Sequence, residues 1–571
     1  MKFKYFLLSS LFSFAIVPSA ISANLILNDG DNIQFTSDEI FNGGSGIYAS
    51  AAVAQIYTTG NIISENNIIY GLYVLDSDLL VSGLNSKVFQ LNNNGEYGIG
   101  GNNSLVLIKD MNIQANQNGR GGVYGHVEII GDGNTYFHVN ENIGFGIDSL
   151  NSSDTIIIHD MNVEINRNTE NGASVANSGK IEIKGSDNTL HTNNNGLAGM
   201  VASDSGSEIN IENMNIQANE NGLYGIQSGS GGIINITGNS AGTNTLQTNN
   251  NNVTGTEGFG IYSTDTGSEV NIENMDVDAS GNVVGVYAVD GAHIKIEGRS
   301  VGTNTLITNS NTGAIQTSGG GILAEKKSVI DIIGMNIESS YNGGSNFAAL
   351  GSSIINITGV SSRNTLITKD SASGVAFFVS DQDIVSVPYI NITNMNVYAE
   401  TETLAYLKNY GAVSFINSDF YAPNNKLFTT ENDAAINLDN VKFHGNSSVF
   451  LEAKNSIGIT SYTDVYINNS EIMGSVVNEQ NSRTYIDLSN SIWRSIGRSN
   501  VSNLSLIGSN DLYMSIYFGN SATQGDMLTI DNNISTSGGT NTLHLTSAGG
   551  DGGSADAIVI NQENATGSTL N

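Results

Sequence analysis

A glycine followed by an apolar residue recurs along much of the chain at nearly constant spacing, and this repeat restricts the folds open to it. Successive marked glycines lie 24 to 27 residues apart, except for two longer intervals of 35 and 36 residues. They are Gly46, Gly71, Gly98, Gly122, Gly146, Gly172, Gly199, Gly225, Gly260, Gly285 and Gly321. Such a repeat is typical of a solenoid, in which each repeat forms one turn and loops are inserted without loss of register.

The stretch from Ser207 to Gln227 indicates what one turn contains. Glu208 to Glu212 alternates polar and apolar residues, as in a half-buried strand. We predict a second short strand at Met214 to Ile216 and a third around Leu223 to Ile226, with Asn and Gly residues at the corners. Three strands in a turn of about 25 residues predict an all-β fold, a right-handed parallel β-helix, whose hand follows the crossover preference.

A slower rhythm divides the turns into two alternating types. A Met element recurs at Met111, Met161, Met214, Met275, Met335 and Met395. An Asn-Thr element falls between these at Asn134, Asn188, Asn244, Asn304 and Asn364. Because the spacing within each set grows to 60 residues, or about two turns, we expect neighbouring turns to differ and alternate turns to match.

Composition fits this fold and excludes several functions. The 571 residues include 66 Gly, only 3 Pro and 13% charged residues, which suits short strands with polar turns better than helices or disorder. The net charge of −33 makes nucleic acid and anionic lipid poor partners. Without cysteine the chain has no disulfide framework.

In chain order, residues 1–23 are predicted to be a secretory signal peptide, with Lys2 and Lys4 before an apolar run and a small-residue exit. Residues 24–41 are predicted to cap the solenoid. The regular β-helix is expected over 42–379, and a more irregular continuation over 380–499. A separately folding C-terminal β segment is expected over 500–571.

The C-terminal segment carries an ordered set of motifs: NSIW from Asn490, NLSL from Asn503, GDMLTI from Gly525, TLHL from Thr542 and ADAIVI from Ala555. Over roughly Ser482 to Asn571 this order resembles the pertactin-like, or autochaperone, region of Gram-negative autotransporter passengers. The resemblance implies a passenger displayed at the cell surface or released, whose C-terminal region assists folding. Autotransporters continue into an outer-membrane barrel, which is therefore expected but absent from a chain that stops at Asn571.

One motif is similar to a catalytic loop. Asp204-Ser205-Gly206-Ser207 resembles the nucleophile loop of trypsin-like autotransporter proteases. The corresponding place in a later turn reads Asp265-Thr266-Gly267-Ser268, and no protease domain with His and Asp precedes it. We therefore predict a turn at both places.

Parallel β-helices also include pectate lyases and related polysaccharide enzymes, whose sites combine carboxylates with Arg or Lys. Acidic residues recur here at equivalent positions: Glu208, Glu212, Glu269 and Glu273, with Glu182 and Glu297 in the other type of turn. A solvated strand face explains them, because outward positions must be polar. Arg120, Arg167, Arg299 and Arg363 show no convergence in the sequence. We predict no catalytic residue and no enzyme activity, with a polysaccharide-active enzyme as the alternative.

Metal and cofactor sites are not predicted either. Gly549 to Ala557 is similar to one copy of a calcium-binding nonapeptide repeat, but that chemistry needs adjacent copies. A hairpin loop is therefore the preferred interpretation. The seven His are dispersed, without metal-ligand spacing.

Two sets of side chains are expected to stack from turn to turn. Tyrosines follow the glycine mark at Tyr48, Tyr73, Tyr124, Tyr262 and Tyr287. A ladder that stabilises the solenoid is the preferred interpretation, and a lateral aromatic strip that binds glycan or a partner protein is the alternative. Asparagine ladders are expected from Asn193, Asn194, Asn195, Asn249, Asn250, Asn251 and Asn252.

Together these features predict an exported passenger that mediates adhesion or self-association through many weak contacts along its lateral face. Its expected partner is a protein or glycan of a host or bacterial surface, or a second copy. A structural or shielding role remains open beside adhesion.

Overall fold

A computed structural model describes residues 25–42, 46–50, 53–84, 86–251, 258–313, 320–360, 363–381, 387–422, 426–445, 447–456, 458, 460–514, 527–545 and 557–560. The predicted signal peptide lies outside these residues. The chain divides into two compact units. Unit 1 comprises Met1–Gly222 and Gly231–Asn239, and unit 2 comprises Leu223–Ser230 and Ser240–Asn571.

Unit 1 consists of turns in which a glycine-series strand is followed by a middle strand and a third strand. The glycine-series strands are Leu25–Leu27, Ile47–Ser50, Leu72–Leu75, Tyr97–Asn102, Gly121–Tyr124, Phe145–Ser149, Ala173–Val175 and Ala198–Ser203. The middle strands are Asn32–Phe35, Val53–Thr58, Asp78–Ser82, Leu105–Lys109, Val127–Ile130, Thr155–His159 and Ile233–Thr237. The third strands are Glu39–Asn42, Ile62–Glu65, Val88–Gln90, Asn112–Gln114, Tyr136–His138 and Asn162–Glu164. Lys180–His191 and Glu208–Gln217 each run through both the middle and the third position.

Unit 2 repeats this order. Its glycine-series strands are Tyr224–Gly229, Phe259–Thr264, Val284–Val289, Ile322–Ala324, Phe347–Leu350, Val375–Ser380, Thr403–Lys408, Lys426–Glu431, Val449–Lys454 and Ser475–Asn478. The middle strands are Glu269–Glu273, His293–Glu297, Val329–Ile333, Ile354–Thr358, Tyr389–Thr393, Gly411–Ile416, Ala434–Asp439, Ser461–Asn468, Ser482–Ser489, Arg498–Ile507, Met527–Ser537 and Ala557–Ile560. The third strands are Thr245–Gln247, Asp276–Asp278, Thr305–Ile307, Asn336–Ser340, Asn364–Lys369, Met395–Ala399, Asp419–Tyr421, Lys442–His444, Glu471–Met473, Ile492–Ser495, Asn510–Met514 and Asn541–Leu545.

Within each unit, strands of one series pair in parallel with the same series in the next turn. The register aligns the apolar residues that follow the marked glycines. In unit 1 these are Ile47, Leu72, Ile99, Val123, Ile147, Ala173 and Met200. In unit 2 they are Ile226, Ile261, Val286 and Ile322. The described residues form strands and turns with no helix, so the predicted all-β parallel β-helix is confirmed.

The predicted strands between Ser207 and Gln227 are present, but the first two are continuous as Glu208–Gln217. Buried and partly exposed residues alternate on each side of Asn213, where the alternation changes phase. Asn213 has a φ of 56°, in the left-handed region that Asn tolerates better than most residues. Ile209 is fully buried, so the inward face of this strand is the predicted one.

The alternation of two turn types has a packing cause. Each marked methionine is buried, and several lie against a glycine of the preceding turn. A Cβ on Gly185 would lie 2.3 Å from Met214 Sδ, and one on Gly298 would lie 2.7 Å from Met335 Sδ. The methionines therefore need Gly before the Asn-Thr element of the neighbouring turn.

Asparagines close the corner before the glycine-series strands of unit 1 from Leu72–Leu75 onward and before the earlier ones of unit 2. In unit 1, each inner amide donates through Nδ2 to Oδ1 of the next at 2.9 to 3.2 Å. These residues are Asn67, Asn94, Asn118, Asn142, Asn168, Asn195 and Asn221. In unit 2, the backbone N–H of one Asn donates to Oδ1 of the next along Asn251, Asn282, Asn311 and Asn342.

The predicted asparagine ladders thus include Asn195 and Asn251. Asn193 and Asn249 belong to a second, outer row that accepts from backbone N–H groups. Asn194 and Asn250 are the corner residues between the two rows, with φ of 59° and 57°. Asn252 lies outside the described residues.

Most of the marked glycines follow from this ladder, because they lie directly against its amides, whereas Gly122 lies against Val139 and backbone carbonyls. A Cβ on Gly71 would lie 2.8 Å from Asn94 Nδ2, and one on Gly146 would lie 2.9 Å from Asn168 Nδ2. These separations are shorter than a side chain tolerates. The glycine mark in the sequence therefore records a row of buried amides.

The outer segments keep the same pairing. Residues 25–42 already form three strands that pair with the next turn. Parallel pairing also continues beyond residue 500, where Arg498–Ile507 pairs with Met527–Ser537. The only Trp in the sequence, Trp493, is 1% exposed and donates from Nε1 to the Gly474 carbonyl at 3.0 Å.

Candidate functional site

The predicted tyrosines of unit 1 belong to a continuous stack of five rings. Its order is Tyr48, Tyr73, Tyr70, Tyr97 and Tyr124, with centroid separations of 5.9, 4.2, 6.3 and 5.2 Å. Tyr70 and Tyr97 were missed from the sequence because they precede the marked glycine instead of following it. Tyr70 lies over Gly100, where a Cβ would be 3.3 Å from its ring, and Tyr97 lies over Gly121, where a Cβ would be 2.8 Å from its ring.

The ring faces of this stack are occupied mostly by neighbouring rings, so solvent meets ring edges and hydroxyls. Burial, followed by the charge of Glu96, raises the pKa of Tyr70 above its ordinary value. Burial also raises the pKa of Tyr97 to about 12, against the opposing effect of Arg120. These hydroxyls stay protonated at neutral pH and serve as neutral hydrogen-bonding groups. A sugar that stacks flat on an aromatic face finds few free faces here.

In the next turn, Asp148 pairs in register with Tyr124 and occupies the equivalent outward position. Its side chain is fully buried, and neither carboxylate oxygen has a hydrogen-bond partner. Burial raises the pKa of Asp148 to about 7, with Arg120 opposing and Asp154 and Glu170 adding to the rise. The stack therefore ends at a carboxyl group that is partly protonated near neutral pH.

The predicted tyrosines of unit 2 are packed more deeply. Tyr262 lies 5.0 Å from Tyr224 and 5.4 Å from Tyr287, measured between ring centroids. Tyr287 is only 7% exposed and belongs to a buried apolar cluster with Phe259 and Leu323. Its hydroxyl donates to Glu325, and burial together with that carboxylate raises its pKa. This arrangement leaves Tyr287 little surface for a ligand.

A third column, not predicted from the sequence, follows the outer face of the third strands in unit 2. We call it the strip: Tyr398, Tyr421, His444, Met473, Arg494, Tyr513 and His544, one residue per turn. Tyr398, Tyr421 and His444 stack with centroid separations of 4.6 Å and interplanar angles of 8°. Arg494 covers the Tyr513 ring at 4.4 Å, and Tyr513 stacks on His544 at 4.0 Å.

Charged residues flank the strip. Arg363 Nη1 lies 2.6 Å from Asp419 Oδ2, and Lys442 Nζ lies 3.9 Å from Glu471 Oε2. Arg494 Nε donates to Glu471 Oε1 at 2.8 Å. Asp511 lies 3.3 Å from His544 Nε2. The sequence showed no convergent set among four Arg residues, and it did not indicate that the fold brings Arg363 from two turns away to Asp419.

Unit 2 also contains an open cavity of about 530 Å³ beside the corner where its asparagine ladder ends. Tyr341, Asp370, Glu400 and Glu402 line it, together with Ser373 and Thr401. Tyr341 is 57% exposed. The cavity combines an aromatic ring with three carboxylates, and none of its described lining residues is Lys, Arg or His.

The serine-protease-like motif is a turn. Asp204 and Gly206 have φ of 73° and 85°, and Ser207 N–H donates to the Asp204 carbonyl at 3.1 Å. The later copy is alike, with Ser268 N–H donating to the Asp265 carbonyl at 3.1 Å. Residues 549–556 of the nonapeptide-like stretch, with the side chain of Ala557, lie outside the described residues.

The repeated acidic residues of unit 1 lie on a strand face where lysines neutralise them. Lys180 Nζ lies 2.7 Å from Glu208, and Lys184 Nζ lies 2.8 Å from Glu182 and 3.3 Å from Glu212. The hydrogen bond from Lys180 lowers the pKa of Glu208. Among the described residues, no group of three or more His, Asp or Glu side chains is placed to bind a metal. Nor does the described part contain a helix long and apolar enough to cross a membrane.

Comparisons with known proteins add little. No protein-family model and no curated protein matches this sequence. Among solved structures, the PL6 family alginate lyase AlyGC and an Arg-to-Ala mutant of it align with 94% of this chain and 100% of theirs, at 10% identity. The TM-scores are 0.19 and 0.20, too low for either likeness to bear on function.

Proposed function

We propose that this chain is an exported passenger of the autotransporter type that mediates adhesion or self-association through a lateral face of its β-helix. The observation that carries the proposal is the strip, which presents tyrosine rings, imidazoles, a methionine and a guanidinium group on seven successive turns of unit 2. A long partner would meet a similar surface at every turn. Weak contacts repeated along the face and multiplied by many displayed copies give high avidity. The motif order from Ser482 onward supports the passenger assignment.

Adhesion is tested with the purified protein on beads, measuring retention on cell layers and on immobilised glycans and proteins. Replacing both Tyr398 and Tyr421 with Ser removes two stacked rings of the strip, and we expect retention to fall strongly. The matched control is Tyr462→Ser, because Tyr462 is 41% exposed and stacks on Tyr485 at 5.8 Å along the middle strands of unit 2. Equal retention by both variants would contradict a role for the strip.

Export is tested separately by expressing the sequence in Gram-negative cells. We expect the mature protein to begin near residue 24 and to be released or cleaved by a protease added outside intact cells. A chain that keeps Met1 and stays protected inside the cell would contradict the proposed localisation.

The second candidate is a polysaccharide-active enzyme, and the cavity beside Tyr341 favours it. Its carboxylates are residue types that serve as general acid and base on sugar chains. Release of reducing ends or unsaturated products from neutral, acidic and amino polysaccharides tests this function. Activity that Glu400→Gln or Glu402→Gln abolishes would establish the enzyme, and its absence across the panel would leave the adhesion proposal.

A further inference from the structure

We count as charges of the strip its own Arg494 and five charged residues that flank it, and these alternate in sign along the turns. The register places Asp419, Lys442, Glu471 and Asp511 in one column, with Ile492 between the last two. Arg494 lies two residues further along, in the strip itself, and donates from Nε to Glu471. In order along the turns the charges are Arg363, Asp419, Lys442, Glu471, Arg494 and Asp511. Arg363 enters this order through its guanidinium group, which lies beside Asp419. The signs therefore read plus, minus, plus, minus, plus, minus, with one charge on each turn from Asp419 to Asp511 and one further turn between those of Arg363 and Asp419.

Two copies of this charge order pair opposite charges only when the second copy runs in the opposite direction to the first. A copy that runs in the opposite direction places its Glu471 against Lys442, its Arg494 against Asp419 and its Asp511 against Arg363. A copy that runs in the same direction in register places like charges together. We infer that the strip is a docking surface for a second copy of this chain, in an antiparallel arrangement about a two-fold axis between Lys442 and Glu471. The inference rests on the proposed function and names its partner.

Charge explains why a second copy fits this face. The chain has 54 acidic and 21 basic residues, so two copies repel each other in general. The six charges of the strip are balanced, three of each sign, so repulsion is smallest where two strips meet. Lys442 is 55% exposed and Asp511 is 42% exposed, which leaves both accessible to a partner.

Size indicates a weak contact. Seven turns at about 4.8 Å span roughly 30 Å, and a face two residues wide gives a few hundred Å² per partner. A standard interface buries about 800 Å² per partner, so the isolated pair should dissociate readily. Alternating charges then supply orientation more than affinity, and association should become strong only when many copies face each other.

The test uses charge reversal in the full mature chain, measured by sedimentation equilibrium at high protein concentration and low salt. In a dimer of the Lys442→Glu variant, the new carboxylate of each copy faces Glu471 of the other copy. Two pairs of like charges then form about the two-fold axis, and we expect about tenfold weaker association. Glu471→Lys alone should weaken it similarly. An equimolar mixture of the two variants should restore association, because each new charge meets its opposite. The double variant K442E/E471K should associate like the natural chain.

A natural chain that stays monomeric, or a mixture without rescue, would overturn the inference. Loss of association in the double variant would also overturn it. The bead experiment separates this outcome from failure of the proposed function. Retention on cells or glycans by a monomeric chain would leave adhesion standing with a different occupant of the strip. Loss of both properties would overturn both proposals.

Discussion

Two parts of the β-helix fill the same corner in different ways. In unit 1, the corner before the glycine-series strands from Leu72–Leu75 onward holds a buried asparagine, in most turns with a glycine packed against it. In the later turns of unit 2, the glycine position holds Asn346, Ala376, Leu404, Leu427 and Phe450. Asn342 ends the amide row by donating to Asn346 Oδ1 at 2.8 Å. Beyond it, apolar residues fill the corner.

Phenylalanines fill the core beside these later corners. Phe347, Phe377, Phe415, Phe428 and Phe450 form a chain of rings with centroid separations of 5.2 to 6.0 Å. An amide ladder requires donor and acceptor on every turn, whereas aromatic packing requires only volume. The amide turns therefore impose a strict sequence repeat, and the aromatic turns allow it to drift. This difference accounts for the irregular rhythm predicted after residue 380.

The largest effect should come from breaking the aromatic core. Phe428 is fully buried, so Phe428→Ala leaves a cavity and should lower the free energy of unfolding by about 3 to 5 kcal/mol. Guanidinium titration measures this change. The control Tyr410→Ala removes a ring that is 43% exposed and should change stability by less than about 0.5 kcal/mol. Similar values for both would show that the ring chain contributes little.

The glycine position should not tolerate a methyl group in the amide turns, whereas the same position in the aromatic turns already holds one and should lose little stability without it. A Cβ on Gly122 would lie 2.0 Å from Val139 Cγ1 and 2.8 Å from the Gly146 carbonyl oxygen, so Gly122→Ala should destabilise by about 3 kcal/mol. Ala376 occupies the equivalent position in the aromatic turns, and Ala376→Gly should destabilise by only about 0.5 to 1 kcal/mol. Unfolding titrations of both variants make the comparison. A tolerated Gly122→Ala would mean that the glycine column does not depend on close packing.

Removing one amide should interrupt the ladder. Asn142 accepts from the backbone N–H and the Nδ2 of Asn118, at 2.8 and 3.1 Å. Asn142→Ala leaves these buried donors without that acceptor, and we expect a loss of about 2 kcal/mol. Hydrogen exchange should locate the loss in adjacent turns of unit 1, while the outward substitution Glu128→Ala leaves exchange unchanged. Uniform exchange across the unit would contradict a local role.

Much of the fold was predictable because the ladder leaves a regular trace. Gly71 and Gly98 mark successive turns, and the predicted register places Leu72 beside Ile99 as observed. The strip was missed because loops of unequal length separate its members. The number of residues between one member and the next therefore varies, and residues such as Tyr421 and Arg494 do not stand out as a repeat. The fold also brings Arg363 to Asp419 across two turns, which no local motif indicates. Sequence periodicity thus predicted the positions that face inward better than the groupings on the outer face.

Carboxylates at buried or partly buried positions extend the comparison to electrostatics. In unit 2, burial tends to raise the pKa of Glu431, but hydrogen bonds from Ser456, Tyr406 and Lys408 hold it below its usual value. In unit 1, Asp148 has no hydrogen-bond partner for either oxygen, and burial raises its pKa to about 7. The same kind of group therefore favours opposite protonation states in the two regions.

Asp148→Asn tests this difference, and we expect the smallest change in the free energy of unfolding, an increase instead of a decrease. Because the folded-state pKa lies above the unfolded value near 3.8, the stability contribution of Asp148 is complete below about pH 4 and is lost as pH rises through about 7. Ionising the buried carboxyl above pH 7 costs several kcal/mol, but the new amide remains a buried polar group, so the net gain should be about 1 kcal/mol at pH 8. Unfolding titrations at pH 4 and pH 8 should show that the variant gains stability only at pH 8, while Glu128→Gln gains at neither. A variant with the same pH dependence as the natural chain would mean that Asp148 is ionised and compensated in the folded state, with Arg120 supplying the opposing charge.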